Sequence, residues 1–220
     1  MNKNNKIFAV IIGGLIIVIV ALIVYGGKNK TGAPAAVKAP AVDMHGRPLA
    51  ANISTASLQD LVNKPAPDFT LADRDGKQYS LSELRGKNII LFFNEGLMCY
   101  PACWNQIAAL AGDGHFKDGD TVVLSVVVDS PEEWQKAVKK MPELAKATVV
   151  FDEGAVVSKK FGVLTTASSM HYGSLPGHTF AIIDKEGLIR HVFDDPNMSI
   201  HNDQLVAEIT KLSESRAGTQ

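Results

Sequence analysis

Cys99 and Cys103 are the only cysteines in the 220-residue sequence, and Tyr100, Pro101 and Ala102 separate them. A chain this long and this poor in cysteine is not held in shape by a disulfide framework, so the pair reads as a site. Thiolate sulfur supports two chemistries at such a site: nucleophilic exchange at another sulfur or at an oxidant, and ligation of soft metal ions. Two plainer readings stand beside these, a pair of ordinary buried cysteines and a purely structural disulfide. The run before the pair, Asn88-Ile-Ile-Leu-Phe-Phe-Asn94, has the β-branched and aromatic composition of a strand covered on both faces. Pro101 to about Leu110 reads as a helix. The cysteines therefore fall at a strand-to-helix corner, outside the carboxyl end of a strand, where α/β sheets gather ligands and chemistry. A thiolate at Cys99 would face the helix's free N–H groups and the positive end of its dipole, which lower a thiol pKa. Cys99 is thus the expected attacking sulfur, and Cys103, one turn along, the resolving one.

Other side chains extend the candidate site. Glu95, just before the corner, could accept the proton of the resolving thiol if burial raises its pKa, and a solvated loop carboxylate fits equally well. Met98, Met170, His171 and His178 add thioether and imidazole to the thiols, a donor set that Cu(I) prefers. His115 and His201 read as structural, and Trp104, next to Cys103, reads as packing between helix and sheet or as a reporter of redox state.

The elements that must position this corner form an alternating series. A hairpin is expected from Asp68-Phe-Thr-Leu through the turn Asp73-Arg-Asp-Gly76 to Lys77-Gln-Tyr-Ser80, with Ser80 and Glu83 at capping-box spacing after it. Thr121 to Asp129 reads as a second buried strand. Ser130-Pro131-Glu132-Glu133 opens a helix with a capping serine and a proline at its first position. A strand at 148–151, a helix at 155–161 ended by Gly162, a hairpin of 179–184 with 188–193 and a helix from about Asp203 to Leu212 complete the series. The order implies an α/β domain with a mixed central sheet flanked by helices. The stretch Leu164 to Leu175 is long for a connection and has the place of a substrate lid.

The N-terminal part is of another kind. After a short tail (1–6), residues 7–25 carry no charge and no proline, and as a helix would measure about 28 Å, enough to span a bilayer core. The run exceeds the apolar region of a cleavable signal peptide, so an uncleaved anchor is expected. Residues 26–57, rich in Ala, Pro, Gly and Lys, read as a stalk, 58–214 as the folded domain and 215–220 as a C-terminal tail. With 22 basic against 23 acidic side chains, charge gives no argument for nucleic acid as a partner. Lysines flank the anchor on both sides, so its orientation is not legible from charge.

Pro65-Ala-Pro-Asp-Phe-Thr-Leu71, Leu81-Ser-Glu-Leu-Arg-Gly-Lys87, the paired-cysteine corner and Thr179-Phe-Ala-Ile-Ile-Asp-Lys-Glu-Gly187 together resemble the redoxin or AhpC/TSA branch of the thioredoxin superfamily, which includes TlpA-like proteins. The resemblance covers about residues 58–214 and implies a thioredoxin-like fold and an extracytoplasmic, membrane-tethered thiol–disulfide oxidoreductase that needs no cofactor. Its partners would be protein thiols or disulfides and a membrane or extracytoplasmic electron donor, on the periplasmic or cell-surface side of a bacterial inner membrane. Thioredoxin-like proteins place a cis-proline beside the cysteines, and Pro176 is the residue in that neighbourhood. The branch also contains peroxiredoxins, antioxidant peroxidases with a Thr or Ser three residues before the reactive cysteine. Here those positions hold Gly96 and Tyr100, and Pro176-Gly177-His178 stands where that family's arginine is expected. Three residues between the cysteines are typical of Sco-like copper proteins. That resemblance implies copper on Cys99, Cys103 and either His171 or His178.

Overall fold

The computed structural model describes residues 58–217. The anchor expected at 7–25 and the stalk at 26–57 lie outside these residues, and no helix among the described residues is long and apolar enough to cross a membrane.

Seven strands form one mixed sheet in the order β2-β1-β5-β4-β3-β6-β7. They are β1 (Thr70–Asp73), β2 (Gln78–Ser80), β3 (Asn88–Phe93), β4 (Thr121–Val127), β5 (Val149–Phe151), β6 (Thr179–Ile183) and β7 (Ile189–Asp194). The central strands β3, β4 and β5 run parallel, while β1, β6 and β7 each pair antiparallel with their neighbours. Four helices pack on the sheet: α1 (Ala102–Gly112), α2 (Pro131–Lys140), α3 (Val156–Lys160) and α4 (Asn202–Ala217). This is the mixed, helix-flanked sheet of a thioredoxin-like fold.

All six residues of β3 are buried, as its composition implies, and the strand's period of two divides them between two cores. Ile89, Leu91 and Phe93 face a cluster that includes Phe69, Leu71, Val157 and Phe161. Ile90 and Phe92 face the other, with both cysteines, Trp104, Ile107, Trp134 and Leu205. Each fully buried aliphatic or aromatic side chain stabilises the fold by about 1.5–3 kcal/mol relative to exposure.

Local chemistry fixes the element ends. The Ser130 hydroxyl accepts the Glu133 N–H at 3.2 Å, with Pro131 at the first position of α2, as the sequence implies. Ser80 accepts from the Glu83 N–H at 3.3 Å, although the turn that follows does not grow into a helix. Helix α4 runs five residues beyond the expected Leu212, and at its start the Asn202 side chain donates to the Ala109 carbonyl and to Asp113, tying its first residue to the end of α1.

Candidate active site

The corner after β3 is built on a contact that only glycine permits. Gly96 has φ +56°, and a Cβ there would lie 1.7 Å from the Asp129 Oδ2. Asp129 stands two residues beyond β4, and the same oxygen accepts the Leu97 N–H at 3.1 Å, pinning the short turn 96–98 that delivers Cys99. Burial pushes the Asp129 carboxyl above its ordinary pKa. Trp104 closes the corner from the helix side by donating its indole N–H to the Gly96 carbonyl at 3.0 Å. The Cys103 N–H donates to the Cys99 carbonyl at 3.0 Å, and the two residues, with Cα atoms 5.4 Å apart, are joined as a disulfide.

An accessible attacking sulfur is not what this closed disulfide presents. Cys99 is only 2% exposed and Cys103 1%. Part of the cover comes from the segment between β7 and α4, which no periodicity marks in the sequence. There the Met198 Sδ lies 3.7 Å from the Cys99 Sγ. Asp195 holds this segment by accepting the N–H groups of Asn197 and Ser199 at 2.8 and 2.7 Å and pairing with the His201 Nε2 at 2.7 Å. Burial alone would raise the Asp195 pKa. The hydrogen bonds from His201, Ser199 and Asn197 outweigh it and hold the carboxyl near 2.

Behind Cys103 stands His178, 1% exposed, with its Nδ1 3.5 Å from the Cys103 Sγ and its Nε2 3.2 Å from the Ser199 carbonyl oxygen. A carbonyl oxygen only accepts, so Nε2 carries the hydrogen and Nδ1 turns its lone pair toward the sulfur. The ring packs edge-on against Phe92, centroids 4.7 Å apart. Burial lowers the His178 pKa to about 4 despite the nearby Asp195 carboxylate, so the imidazole is neutral at pH 7.

The expected partners of the cysteines are redistributed. Glu95 is buried, but its oxygens serve the lid: Oε1 accepts the His171 N–H at 2.9 Å and the Ser169 hydroxyl at 3.3 Å, and Oε2 meets the His171 Nδ1 at 2.9 Å. The group facing Cys103 is therefore His178, in place of Glu95. The cis bond expected at Pro176 is found at Tyr100–Pro101, and Pro176 follows a trans bond. Gly177 and His178 separate Pro176 from β6, so the residue that meets the disulfide is the histidine next to that strand. His171, engaged with Glu95, is not in the soft-donor group, whereas Cys99, Cys103 and His178 place their ligand atoms within 4.8 Å of one another. Once the disulfide is opened, two thiolates and one neutral imidazole are a set that suits a soft cation.

Exposed large apolar side chains cluster along the segments that carry Cys99, Met198 and His171. Met98 and Tyr100 flank Cys99, Ile200 follows the covering Met198, and Met170 precedes His171. These are four of the five exposed large hydrophobic residues among those described. The Lys140 ammonium stands 3.5 Å from the Tyr100 ring centroid. By contrast, Arg74 bonds the Ala145 carbonyl, Arg85 packs against Gly187, and Arg190 pairs with Asp184, all away from the sulfurs.

The sequence profile of the AhpC/TSA family matches residues 62–192. The chain is similar to the peroxiredoxin Bcp of Escherichia coli (strain K12), 34% identical over 141 residues that cover 63% of this chain and 88% of the relative. It is also similar to the chloroplastic peroxiredoxin Q of Populus jackii, 30% identical over 155 residues, 68% of this chain and 66% of the relative. Among solved structures, a mitochondrial 2-Cys peroxiredoxin from Plasmodium falciparum shares the fold, with TM-score 0.61 at 23% identity over 73% of this chain and 98% of that one. A candidate protein disulfide isomerase from Bacteroides thetaiotaomicron gives TM-score 0.53 at 26% identity, covering 69% of this chain and 89% of that one.

Proposed function

The chain belongs to the AhpC/TSA family of the thioredoxin superfamily, and from that premise we propose that it is a thiol–disulfide oxidoreductase working through Cys99 and Cys103. The observation that carries this reading is the disulfide closed between the turn that precedes α1 and the second residue of that helix, with a neutral imidazole behind Cys103 and the exposed apolar side chains of Met98 and Tyr100 on either side of Cys99 in the sequence. In the reductive half-reaction a thiolate of a dithiol protein attacks the Cys99 sulfur. A mixed disulfide forms, the Cys99–Cys103 bond breaks, and the Cys103 sulfur leaves with the electron pair and takes up a proton. The partner's second thiolate then attacks the mixed disulfide and frees Cys99. The partner ends oxidised and the pair reduced, and the reverse sequence reduces a substrate disulfide. These exposed apolar side chains support a protein rather than a small molecule as partner. Anchoring through 7–25, with the domain on the non-cytoplasmic side and a membrane or extracytoplasmic electron donor, belongs to the same reading.

A second reading, peroxide reduction, is favoured by the similarity to the peroxiredoxins of E. coli and Populus jackii. A Cys99 thiolate would take the peroxide's terminal oxygen and release an alcohol or water, and Cys103 would then condense with the sulfenic acid, expelling water. Against it stands the placement of Arg74, Arg85 and Arg190 away from the sulfurs, so that no guanidinium among the described side chains is set to clamp the peroxide. The cluster of Cys99, Cys103 and His178 also supports Cu(I) binding by the reduced form.

The deciding experiment follows the reduced full-length protein in detergent as it meets hydrogen peroxide, a protein disulfide and stoichiometric Cu(I) in turn. Reoxidation by the protein disulfide at least about a hundredfold faster than by peroxide, with a reversible couple that Cu(I) leaves in place, supports exchange. Faster turnover of peroxide installs the second reading, and loss of the couple on adding Cu(I) installs the metal.

A further inference from the structure

A flexible side chain on a rigidly held backbone, that of Met198, lies against Cys99 in the cluster that buries the disulfide. Met198 has φ +53°, a left-handed conformation that strains a non-glycine residue, and the segment holds it there from both sides. The N–H groups of its two neighbours, Asn197 and Ser199, both end on the Asp195 carboxylate. The Ser199 carbonyl is held by His178, and the His201 N–H by the Gln106 side chain at 2.7 Å. At the apex the unbranched Met198 side chain places its Sδ 3.7 Å from the Cys99 Sγ. An attacking sulfur must come at least that close to Cys99, which is 2% exposed, and the thioether already occupies a position at that distance. Methionine turns about three single bonds, so it can swing aside while every backbone bond of the segment stays made. Met98 and Ile200, next to Cys99 and two residues after Met198 in the sequence, are both 57% exposed.

Resting on the exchange reading above, we propose that Met198 is a specificity-determining residue, a plug that keeps small thiols off Cys99 and yields to a protein dithiol whose own apolar side chains displace it. Small thiols meet only the fraction of molecules in which the side chain has swung away, and their rates fall by that fraction. A protein partner offsets the displacement with contacts on Met98, Tyr100 and Ile200.

The test compares second-order rates at which dithiothreitol and reduced thioredoxin open the Cys99–Cys103 disulfide in the full-length protein, wild type against Met198→Gly and Met198→Leu. Glycine removes the plug and is at ease at positive φ, so the variant folds without the backbone strain. The expected result is a rise of about tenfold in the dithiothreitol rate for Met198→Gly with a change under about threefold for thioredoxin, and a return toward the wild-type ratio in Met198→Leu. A ratio unmoved by Met198→Gly overturns the plug and leaves the exchange reading standing. A wild-type disulfide opened by neither dithiol overturns both.

Discussion

Gly96 and Asp129 meet across the corner so closely that the glycine's missing methyl group is part of the site. A Gly96→Ala substitution puts a carbon 1.7 Å from the Asp129 Oδ2 at a backbone φ of +56°. Overpacking and backbone strain together should cost about 3 kcal/mol. Gly112, at the end of α1, has nothing within 4 Å of its own missing Cβ, and Gly112→Ala should be neutral or stabilise by up to about 1 kcal/mol. Urea unfolding of the two variants checks the contrast.

His178 makes stability depend on acid. Its pKa falls from 6.5 in the unfolded chain to about 4 in the fold, mainly through burial, so between those values the unfolded chain holds a proton that the folded one does not. Stability should therefore fall as pH drops from about 6.5 towards 4, by up to about 3 kcal/mol. His178→Asn should flatten that part of a stability-against-pH curve measured by urea midpoints.

Trp104 should report the redox state of the pair. It is buried, adjoins Cys103 and donates to Gly96, while Trp134, the other tryptophan, lies on α2. Trp134 packs edge-on against Trp104, centroids 6.1 Å apart, so reduction of the full-length protein should change the tryptophan emission strongly in Trp134→Phe and more weakly in Trp104→Phe. The opposite assignment would mean that reduction is felt at α2 and not at the corner.

Glu95 and His171 should be coupled. The imidazole and backbone N–H of His171 both end on the Glu95 carboxylate at 2.9 Å, tying the lid to the end of β3. A double-mutant cycle of Glu95→Gln and His171→Ala should give an interaction of about 1–3 kcal/mol. Amide exchange in the Thr166–Gly177 segment should quicken in either single variant. Independent effects would show that the lid is held elsewhere.

The series of strands and helices was legible because β3 and β4 are uniform apolar runs and Ser130-Pro131 is an unambiguous helix start. The cysteine corner was legible for the same reason, since it follows directly from the end of β3. The surroundings of the sulfurs were not. Glu95 and His178 are both polar residues at strand ends, and only the tertiary pairing of β3 with β6 turns the histidine to Cys103 and the carboxylate to the lid. Met198 and Asp195 lie in a segment without periodicity, where hydrogen bonds to a side chain set the backbone in place of any repeat. Pro176 is the proline of that neighbourhood in the sequence, but Gly177 and His178 stand between it and β6, and it is His178 that meets Cys103.

The crosslink joins residues separated by only four positions. By the loop-closure account, a ring that small removes only about 2 kcal/mol of freedom from the unfolded chain, against nearly 5 for a ring of a hundred residues. Two apolar cores on opposite faces of the sheet hold the architecture, so opening the bond need not loosen it. A covalent link that contributes so little to holding the molecule together can be made and broken on every turnover. In the exchange proposed above, it would serve as a place to park two electrons.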